Sequence, residues 1–199
     1  MTASSPSRRF LFLLSSAREG GNSELLARHA ASQLPAWVEQ EWVSLTAQQL
    51  PPFPDLRHAP GGYPPLTPPL ARLYAQTVSA TDLVFVAPVY WYSLPAAAKL
   101  YLDHWSGFMR APGCDFRAQM AGRTLWLITA NSDDVGEPLE SGSSAPLVQT
   151  LTLTAGYMKM RYGGTVVGHG SRPGDVLRDP EALEAAGRLF AEVADRAAA

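Results

Sequence analysis

The chain has 199 residues, of which 46% are hydrophobic and 17% charged, so it is long enough to form one domain with a sizeable core. Its formal net charge is −2 and no segment concentrates Lys and Arg, which argues against a nucleic-acid or anionic-membrane partner. The single cysteine, Cys114, excludes an internal disulfide framework and a multi-cysteine metal cluster, and it suits a reducing compartment.

The N-terminal segment has the outline of a signal peptide, because two arginines precede the apolar residues 10–14. This run of five residues is shorter than the roughly seven to fifteen of a secretory signal. The longest nearly apolar run elsewhere, residues 83–92, has about half the length of a membrane span. We therefore expect a soluble, cytoplasmic protein with no membrane partner.

Five short apolar runs predict β-strands at residues 9–14, 41–45, 82–87, 124–129 and 164–167. The third and fourth runs contain the sequences LVFVA and TLWLIT, which are nearly continuous in apolar character. Such runs are typical of strands in a parallel sheet that helices cover on both faces. The second run, EWVSL, is more mixed and suits an edge strand.

Helical signals occupy most of the segments between these runs. Asn22 caps one predicted helix, Pro95 lies at the start of another, and Asp179 precedes the last. Weaker helices are expected over residues 66–80 and 144–160. Strand–helix alternation with right-handed crossovers predicts an α/β three-layer sandwich in a single domain over residues 1–199. For its five-stranded parallel sheet we choose the flavodoxin-like order 2-1-3-4-5.

Two segments lack the periodicity of a helix or a strand. Residues 50–69 contain eight prolines, which predicts an extended loop. Residues 168–180 contain three glycines and two prolines and connect the last strand to the last helix. We expect both segments to be irregular.

Ligands of open parallel α/β sheets bind beyond the carboxyl ends of the strands. Three loops have that location here, at residues 15–22, 88–93 and 130–143. The first runs from a strand through hydroxyls, an arginine and two glycines into a helix, an arrangement that suits a phosphate. It lacks the G-x-G-x-x-G and Walker patterns, which disfavours dinucleotide and nucleoside-triphosphate sites. A plain glycine turn with a solvated arginine remains the alternative.

The second loop contains three consecutive aromatic residues, Tyr90, Trp91 and Tyr92. They cannot all point into one core, so at least one should be exposed in the crevice and able to stack on a flat ring. Packing or a subunit contact is the alternative reading. The third loop begins with short polar residues, whose backbone amides suit the edge of a heterocycle.

Three segments carry a resemblance to a known family. SSAREGGNS at residues 15–23, PVYWYSLPAAAKLYLD at 88–103 and GYMKMRYGGTVVGHGSRPGD at 156–175 resemble the NADPH-dependent FMN reductases and NAD(P)H:quinone oxidoreductases, which are flavodoxin-like flavoproteins. The resemblance implies FMN as cofactor and NADPH or NADH as reductant. It places the FMN phosphate on Ser16, Arg18, Gly21, Asn22 and Ser23. It places the flavin ring on Pro88, Val89, Tyr90, Trp91, Tyr92, Ser93, Ala130, Asn131 and Ser132.

Two features of the sequence qualify this resemblance. Related iron–sulfur flavoproteins carry clustered cysteines after the second strand, where this chain has the proline-rich residues 50–62. Without several thiolates no cluster can form, which leaves the flavin as the redox centre. Asp133 and Asp134 would disfavour an anionic reduced flavin, so we expect both carboxylates to point away from the ring.

The implied activity is transfer of reducing equivalents from NAD(P)H through FMN to a small acceptor by ping-pong hydride transfer. Quinones, azo or nitro compounds and free flavin all fit as acceptors. We assign no catalytic acid or base, although His104 and Tyr92 are possible proton donors. A flavodoxin-like electron carrier, or a flavin-binding module without NAD(P)H activity, is the alternative. Electron carriers are usually strongly acidic, and a net charge of −2 argues against this alternative. A flavin-free regulatory scaffold is a third reading.

The resemblance also implies an assembly, since the flavin of this family lies near a subunit boundary. Trp91 and Tyr92, with Trp105 and Phe108 downstream, would supply aromatic contacts. We therefore expect a homodimer or a homotetramer with residues 90–108 near the interface.

Overall fold

A computed structural model describes residues 8–132, 142–191 and 193. Within these residues, five strands form one parallel sheet in the order β2-β1-β3-β4-β5. The strands are β1 (Arg9–Leu14), β2 (Glu39–Ser44), β3 (Asp82–Val86), β4 (Thr124–Asn131) and β5 (Arg161–His169). The predicted strand order and fold class are confirmed. Every residue of the central strands β3 and β4 is buried, as their continuous apolar runs predicted.

Helices cover both faces of the sheet. They are α1 (Asn22–Ala31), α2 (Pro68–Ser79), α3 (Ala96–Phe108), α4 (Phe116–Met120), α5 (Ala145–Tyr157) and α6 (Pro180–Leu189), with a 3₁₀ turn at Asp175–Arg178. Side chains alternate along β1, so Phe10 and Phe12 pack towards α1 and α6. Leu11 and Leu13 pack towards α2, α3 and α5. This alternation produces the two separate cores of a three-layer sandwich.

Some element boundaries differ from those that the sequence predicted. Strand β2 begins two residues earlier, and β5 extends beyond both predicted ends. Gly163 forms a bulge in β5, between the residues that pair with Leu125 and Trp126. A Cβ atom at Gly163 would lie 2.5 Å from the Trp126 ring, so glycine is required there. The five-residue helix α4 was not predicted, because it is too short to show helical periodicity.

Helix α3 contradicts part of the predicted subunit contact. Trp105 and Phe108 are buried, and both rings pack against Phe116 of α4 within this chain. They are therefore core residues and cannot supply an interface. His104 is also buried, and its Nε2 lies 2.9 Å from the Pro51 carbonyl oxygen, which fixes the proline-rich segment on α3. This position makes His104 a packing residue rather than a proton donor.

Among the described residues, no helix combines the length and apolar character that crossing a membrane requires.

Candidate cofactor-binding site

A cleft of about 260 Å³ lies at the carboxyl ends of β1, β3 and β4. All three predicted loops contribute to its walls. The predicted site residues that line it are Ser16, Arg18, Gly21, Asn22, Ser23, Pro88, Val89, Tyr90, Ala130, Asn131 and Ser132. Trp91 and Tyr92 instead line an adjoining, more open cavity of about 540 Å³, which shares Val89, Tyr90, Asn131 and Ser132 with the cleft. Ser93 lines neither space.

The N-terminus of α1 faces this cleft. Gly21 is the N-cap residue, and among the described residues no side chain caps the first turn. A helix leaves its first amide N–H groups unpaired and carries a partial positive charge at this end. The first turn of α1 therefore presents backbone donors with a favourable field for an anion.

Ser23 provides a direct test of whether this end of the cleft fits a phosphate. Its side chain is only 3% exposed, and its Oγ has no hydrogen-bond partner among the described residues. A buried hydroxyl without a partner is costly, and a phosphate oxygen would accept its hydrogen bond. Arg18 forms no ion pair within the described part of the chain, so its guanidinium is available to an anion. The donor set fits the FMN phosphate.

Glu24 also lines the cleft, although the sequence did not single it out. Its Oε2 accepts a hydrogen bond from the Gly20 amide at 3.0 Å, and its Oε1 accepts one from Arg28 at 3.1 Å. Gly20 has a φ of +61°, a conformation that favours glycine. The carboxylate therefore holds in shape residues 15–23, which we name the phosphate loop after their predicted role, and Arg28 offsets its charge.

Asn22 does not act as the predicted helix cap. The helix begins one residue after the N-cap Gly21, which makes Asn22 the first helical residue. Its side chain turns away to the segment after β5, where it bonds the backbone of Gly170, Arg172 and Gly174. The capping prediction is therefore wrong, because a distant segment provides better partners than the helix itself.

The aromatic loop forms a tight two-residue turn. The Tyr90 amide donates to the Ser93 carbonyl and the Ser93 amide donates to the Tyr90 carbonyl, both at 3.1 Å. Trp91 and Tyr92, the two central residues, have φ values of +51° and +58°. Their side chains are 93% and 64% exposed. The predicted exposure is confirmed, while their contact with a flavin stays a prediction.

Tyr90 connects the aromatic loop to the phosphate loop. Its hydroxyl lies 3.4 Å from Ser16 Oγ, which also accepts a hydrogen bond from the Arg18 amide at 3.0 Å. The Tyr90 side chain therefore spans the cleft between the two loops. This contact places Tyr90 at the predicted phosphate end of the cleft as well as beside the predicted ring position.

The third loop is fixed mainly through its backbone. The Ala130 carbonyl accepts from the Val89 amide at 3.2 Å, and the Asn131 carbonyl accepts from the Gly170 amide at 2.9 Å. Ser132 is exposed at the edge of the cleft. Asp133 and Asp134 lie outside the described residues, so their predicted orientation stays a prediction.

Gly170 and Ser171 form a fourth wall of the cleft that the sequence did not predict. They follow β5, which lies beside β4 in the sheet, so they meet the third loop at the same edge. Gly170 has a φ of +153°, and a Cβ atom there would lie 2.4 Å from the Asp175 Cβ. The glycines of residues 168–180 and the resemblance over 156–175 are the signals in the sequence that point to this wall.

The sequence pattern described as NADPH-dependent FMN reductase matches residues 8–163. The chain belongs to this family. Membership confirms the expected enzyme class, an NAD(P)H-dependent oxidoreductase, and FMN as its cofactor. This reductase is similar to the NAD(P)H-dependent FMN-containing oxidoreductase YwqN of Bacillus subtilis, with 35% identity over 174 residues. The aligned residues cover 87% of this chain and 91% of the relative.

Solved structures agree with this assignment of the fold. The Trp repressor binding protein from Bacillus subtilis is 27% identical to this reductase, with a TM-score of 0.69, over 91% of this chain and 97% of that one. An FMN-dependent NADH-azoreductase from Bacillus anthracis, solved in complex with FMN, is 17% identical, with a TM-score of 0.59, over 92% and 99% of the two chains. The second similarity supports the shared flavodoxin-like fold alone.

Proposed function

We propose that this FMN reductase passes reducing equivalents from NAD(P)H to a small acceptor of the quinone, azo, nitro or free-flavin class. The observation that carries the proposal is the cleft beside the first turn of α1, which is lined by a buried hydroxyl and a guanidinium that both lack a partner among the described residues. Bound FMN supplies the redox chemistry, since it takes up a hydride and releases electrons to the acceptor.

The phosphate end of the cleft anchors and orients the cofactor. Arg18 and Ser23 would donate hydrogen bonds to phosphate oxygens, together with the first amides of α1. An arginine fork can bind two oxygens at once, so it also fixes the direction in which the cofactor enters the cleft. Tyr90 and the third loop would then hold the ring.

An open space adjoins the ring end of the cleft. This is the cavity of about 540 Å³ between the exposed aromatic turn and the residues Asn131 and Ser132. Because NAD(P)H and the acceptor both need to approach the ring, they would occupy this space in turn. Alternating use of one space supports the ping-pong order.

Trp91 supplies a flat, exposed surface at this cavity, which suits a planar acceptor. The two backbone hydrogen bonds that close the turn fix the position of the Trp91 Cα, so little backbone freedom is lost when a ring stacks on this side chain. We propose a planar aromatic or quinonoid acceptor for this reason. Small aliphatic acceptors would gain nothing from this surface.

Anaerobic mixing tests the proposal directly. The FMN-loaded protein should lose its oxidised-flavin absorbance on addition of NADH or NADPH and regain it when a quinone, azo dye or nitroaromatic compound follows. Initial rates at several concentrations of both substrates should give parallel double-reciprocal lines. Absence of bleaching with both nucleotides would reject the enzyme proposal, whereas intersecting lines would reject the ping-pong order.

A matched pair of tryptophan variants tests the acceptor surface. Trp91→Ala should raise the KM for planar acceptors, because the stacking surface is lost. Trp37 is also exposed, but it lies before the amino end of β2, whereas Trp91 follows the carboxyl end of β3. Trp37→Ala should therefore leave the KM unchanged. Equal effects of the two substitutions would remove Trp91 from the acceptor site.

We also propose that the protein is a homodimer or homotetramer. Support comes from Trp91 and Tyr92, and from a second exposed apolar pair on α5, Leu153 and Tyr157. Helix α5 carries no charged residue over its 13 positions, which is unusual for a helix with a solvent-facing side. These surfaces replace the buried Trp105 and Phe108 as candidates for the contact.

A further inference from the structure

The side-chain amide of Asn22 is fully used by one distant segment. Nδ2 donates to the carbonyl oxygens of Gly170 and Arg172, both at 2.9 Å. Oδ1 accepts from the Gly174 amide at 2.9 Å and from the Val176 amide at 3.5 Å. A primary amide offers two N–H donors and one oxygen with two lone pairs. No donor of the side chain is left for a phosphate, although the sequence motif suggests that role.

The segment that Asn22 binds is the fourth wall of the cleft, and we name residues 170–174 the β5 loop. It lacks regular secondary structure, and Ser171, Arg172 and Pro173 are exposed. The Gly170 amide donates to the Asn131 carbonyl, so the β5 loop is also attached to the third loop. Asn22 thus joins the start of α1 to a loop about 150 positions later in the chain.

The conformation of the β5 loop depends on this attachment. Gly170 has a φ of +153°, and its missing Cβ would lie 3.0 Å from Asn22 Nδ2 and 2.4 Å from the Asp175 Cβ. The backbone therefore approaches Asn22 as closely as glycine permits. The Arg172 amide also donates to Oδ2 of Asp175, the first residue of the following 3₁₀ turn, at 2.7 Å, a contact that shapes the β5 loop but does not bind it to α1.

We propose that Asn22 is a positioning residue, which holds the β5 loop against the N-terminus of α1 so that Gly170 and Ser171 complete the cofactor cleft. The inference rests on the proposed function, because it takes this cleft to be the FMN site. In this arrangement Asn22 acts on the cofactor through the β5 loop, whereas Arg18 and Ser23 act on the phosphate directly.

The positioning role has a consequence that separates it from phosphate binding. Without Asn22, the β5 loop would keep only its bonds to Asn131 and Asp175 and would be less ordered before flavin binds, so the cost of ordering it would lower the affinity for any flavin. Riboflavin and FMN would then lose affinity by the same factor, about tenfold for a loss of 1.4 kcal/mol. A phosphate ligand would instead affect FMN and leave riboflavin unchanged.

The test compares Asn22→Ala with Ser23→Ala in the full-length protein. Hydrogen exchange of the ligand-free chain should be faster over residues 170–176 in Asn22→Ala, with β4 unchanged as an internal reference. Titration should show equal losses for riboflavin and FMN. In Ser23→Ala, exchange should match the wild type and FMN alone should bind more weakly.

Asn22→Asp provides a second variant. It should fold, because an acidic residue is favourable in the first turn of a helix. It keeps the acceptor for the Gly174 amide but sets a carboxylate oxygen against two carbonyl oxygens. Because this repulsion releases the β5 loop while the acidic residue supports the start of α1, its exchange rates over 170–176 and its riboflavin affinity should resemble those of Asn22→Ala.

Three results would overturn the positioning role. The first is unchanged exchange over 170–176 in Asn22→Ala, and the second is a loss of affinity for FMN alone. The third is faster exchange without any change in affinity for either flavin. If the wild-type protein binds neither flavin, the proposed function fails, and the exchange comparison still reports whether Asn22 orders the β5 loop.

Discussion

At the scale of single residues, the two charges beside the first turn of α1 have different roles. Glu24 is engaged by the Gly20 amide and by Arg28, so its charge is balanced within the helix. Arg18 has no such partner among the described residues, and it lies at the cleft. Because of this difference, removal of the Arg18 side chain should distinguish binding of the FMN phosphate from binding of the flavin ring.

Replacing Arg18 with Ala should weaken FMN binding about tenfold to a hundredfold, since a hydrogen bond to a charged group contributes ~1.5–3 kcal/mol. Riboflavin, which has the same ring and no phosphate, should bind almost as before. Titration of both flavins into wild-type and variant apoprotein measures the difference. Arg188→Ala removes an exposed arginine that pairs with Glu184 on α6, and it serves as the charge-matched control.

Two other outcomes have distinct meanings for the Arg18 prediction. Equal losses for the two flavins would mean that Arg18 supports folding of the loop rather than the phosphate. No loss for either flavin would mean that the side chain is simply solvated. Either result would contradict the assignment of residues 15–23 as the phosphate loop.

Asp179 provides a pH-dependent prediction at the same scale. Burial alone would raise its pKa, but hydrogen bonds from the Ala182 amide and from His169 outweigh burial and hold the pKa of Asp179 below its usual range. A carboxylate with a lowered pKa stabilises the fold above the unfolded-state value of about 3.9. That stabilisation is lost as the pH falls through the lower folded-state pKa.

Asp179→Ala should therefore lower the free energy of unfolding by about 1–2 kcal/mol at neutral pH, because it removes the N-cap of α6. Urea denaturation of both proteins across a pH series measures the difference. The gap between them should narrow at pH values below the folded-state pKa. A gap that stays constant down to the most acidic pH at which both proteins fold would contradict this linkage.

At the scale of elements, the aromatic turn combines strain with exposure. Left-handed backbone costs roughly 1–2 kcal/mol for a residue with a side chain, and Trp91 and Tyr92 both adopt it in succession. Their mutual backbone pairing through Tyr90 and Ser93 keeps the turn closed. Strained residues commonly lie at ligand sites, and a turn selected for stability alone would favour Asn-Gly.

The double variant Trp91→Asn with Tyr92→Gly should therefore be more stable than the wild type, by roughly 1–2 kcal/mol or more. It should also have a weaker affinity for planar acceptors, because both exposed rings are lost. Urea midpoints and KM values measure the two effects. A variant that is less stable than the wild type would show that the rings contribute more to folding than the backbone strain costs.

At the scale of the whole molecule, the chain offers one redox centre and several exposed apolar surfaces. The family requires FMN, and Cys114 is the sole cysteine of the sequence, so no iron–sulfur cluster can form. The purified protein should contain one FMN per chain and no iron. Stoichiometric iron in metal analysis, or FAD as the extracted flavin, would contradict this prediction.

Assembly should depend on the exposed aromatic turn. Trp91→Glu should weaken self-association and flavin affinity together, because it places a charge on an apolar contact surface. Sedimentation at micromolar concentration measures the association, and Trp37→Glu is the control for an exposed tryptophan elsewhere. A wild-type protein that sediments as a monomer would reject the homo-oligomer. Phe108 is unsuitable for this test, since it lies in the core and a charge there would unfold the protein.

Local patterns in the sequence were sufficient for the architecture. Continuous apolar runs identified β3 and β4, because strands buried on both faces need apolar side chains at every position. The three loops that meet at the cleft also followed, since the carboxyl ends of parallel strands share one edge. Boundaries at the edge strands β2 and β5 were less accurate, because their mixed polarity marks no clear ends.

The sequence by itself determined the fold class and the location of the cleft, whereas the strand order was a choice that the structure confirmed. Only the tertiary structure decided what individual side chains do there. Asn22 bonds residues about 150 positions away, Trp105 and Phe108 pack on a helix with no periodic signal, and Gly170 becomes a wall of the cleft. Periodicity and motif spacing report local geometry, whereas the partner of a hydrogen bond or a buried ring depends on which distant segments the fold brings together.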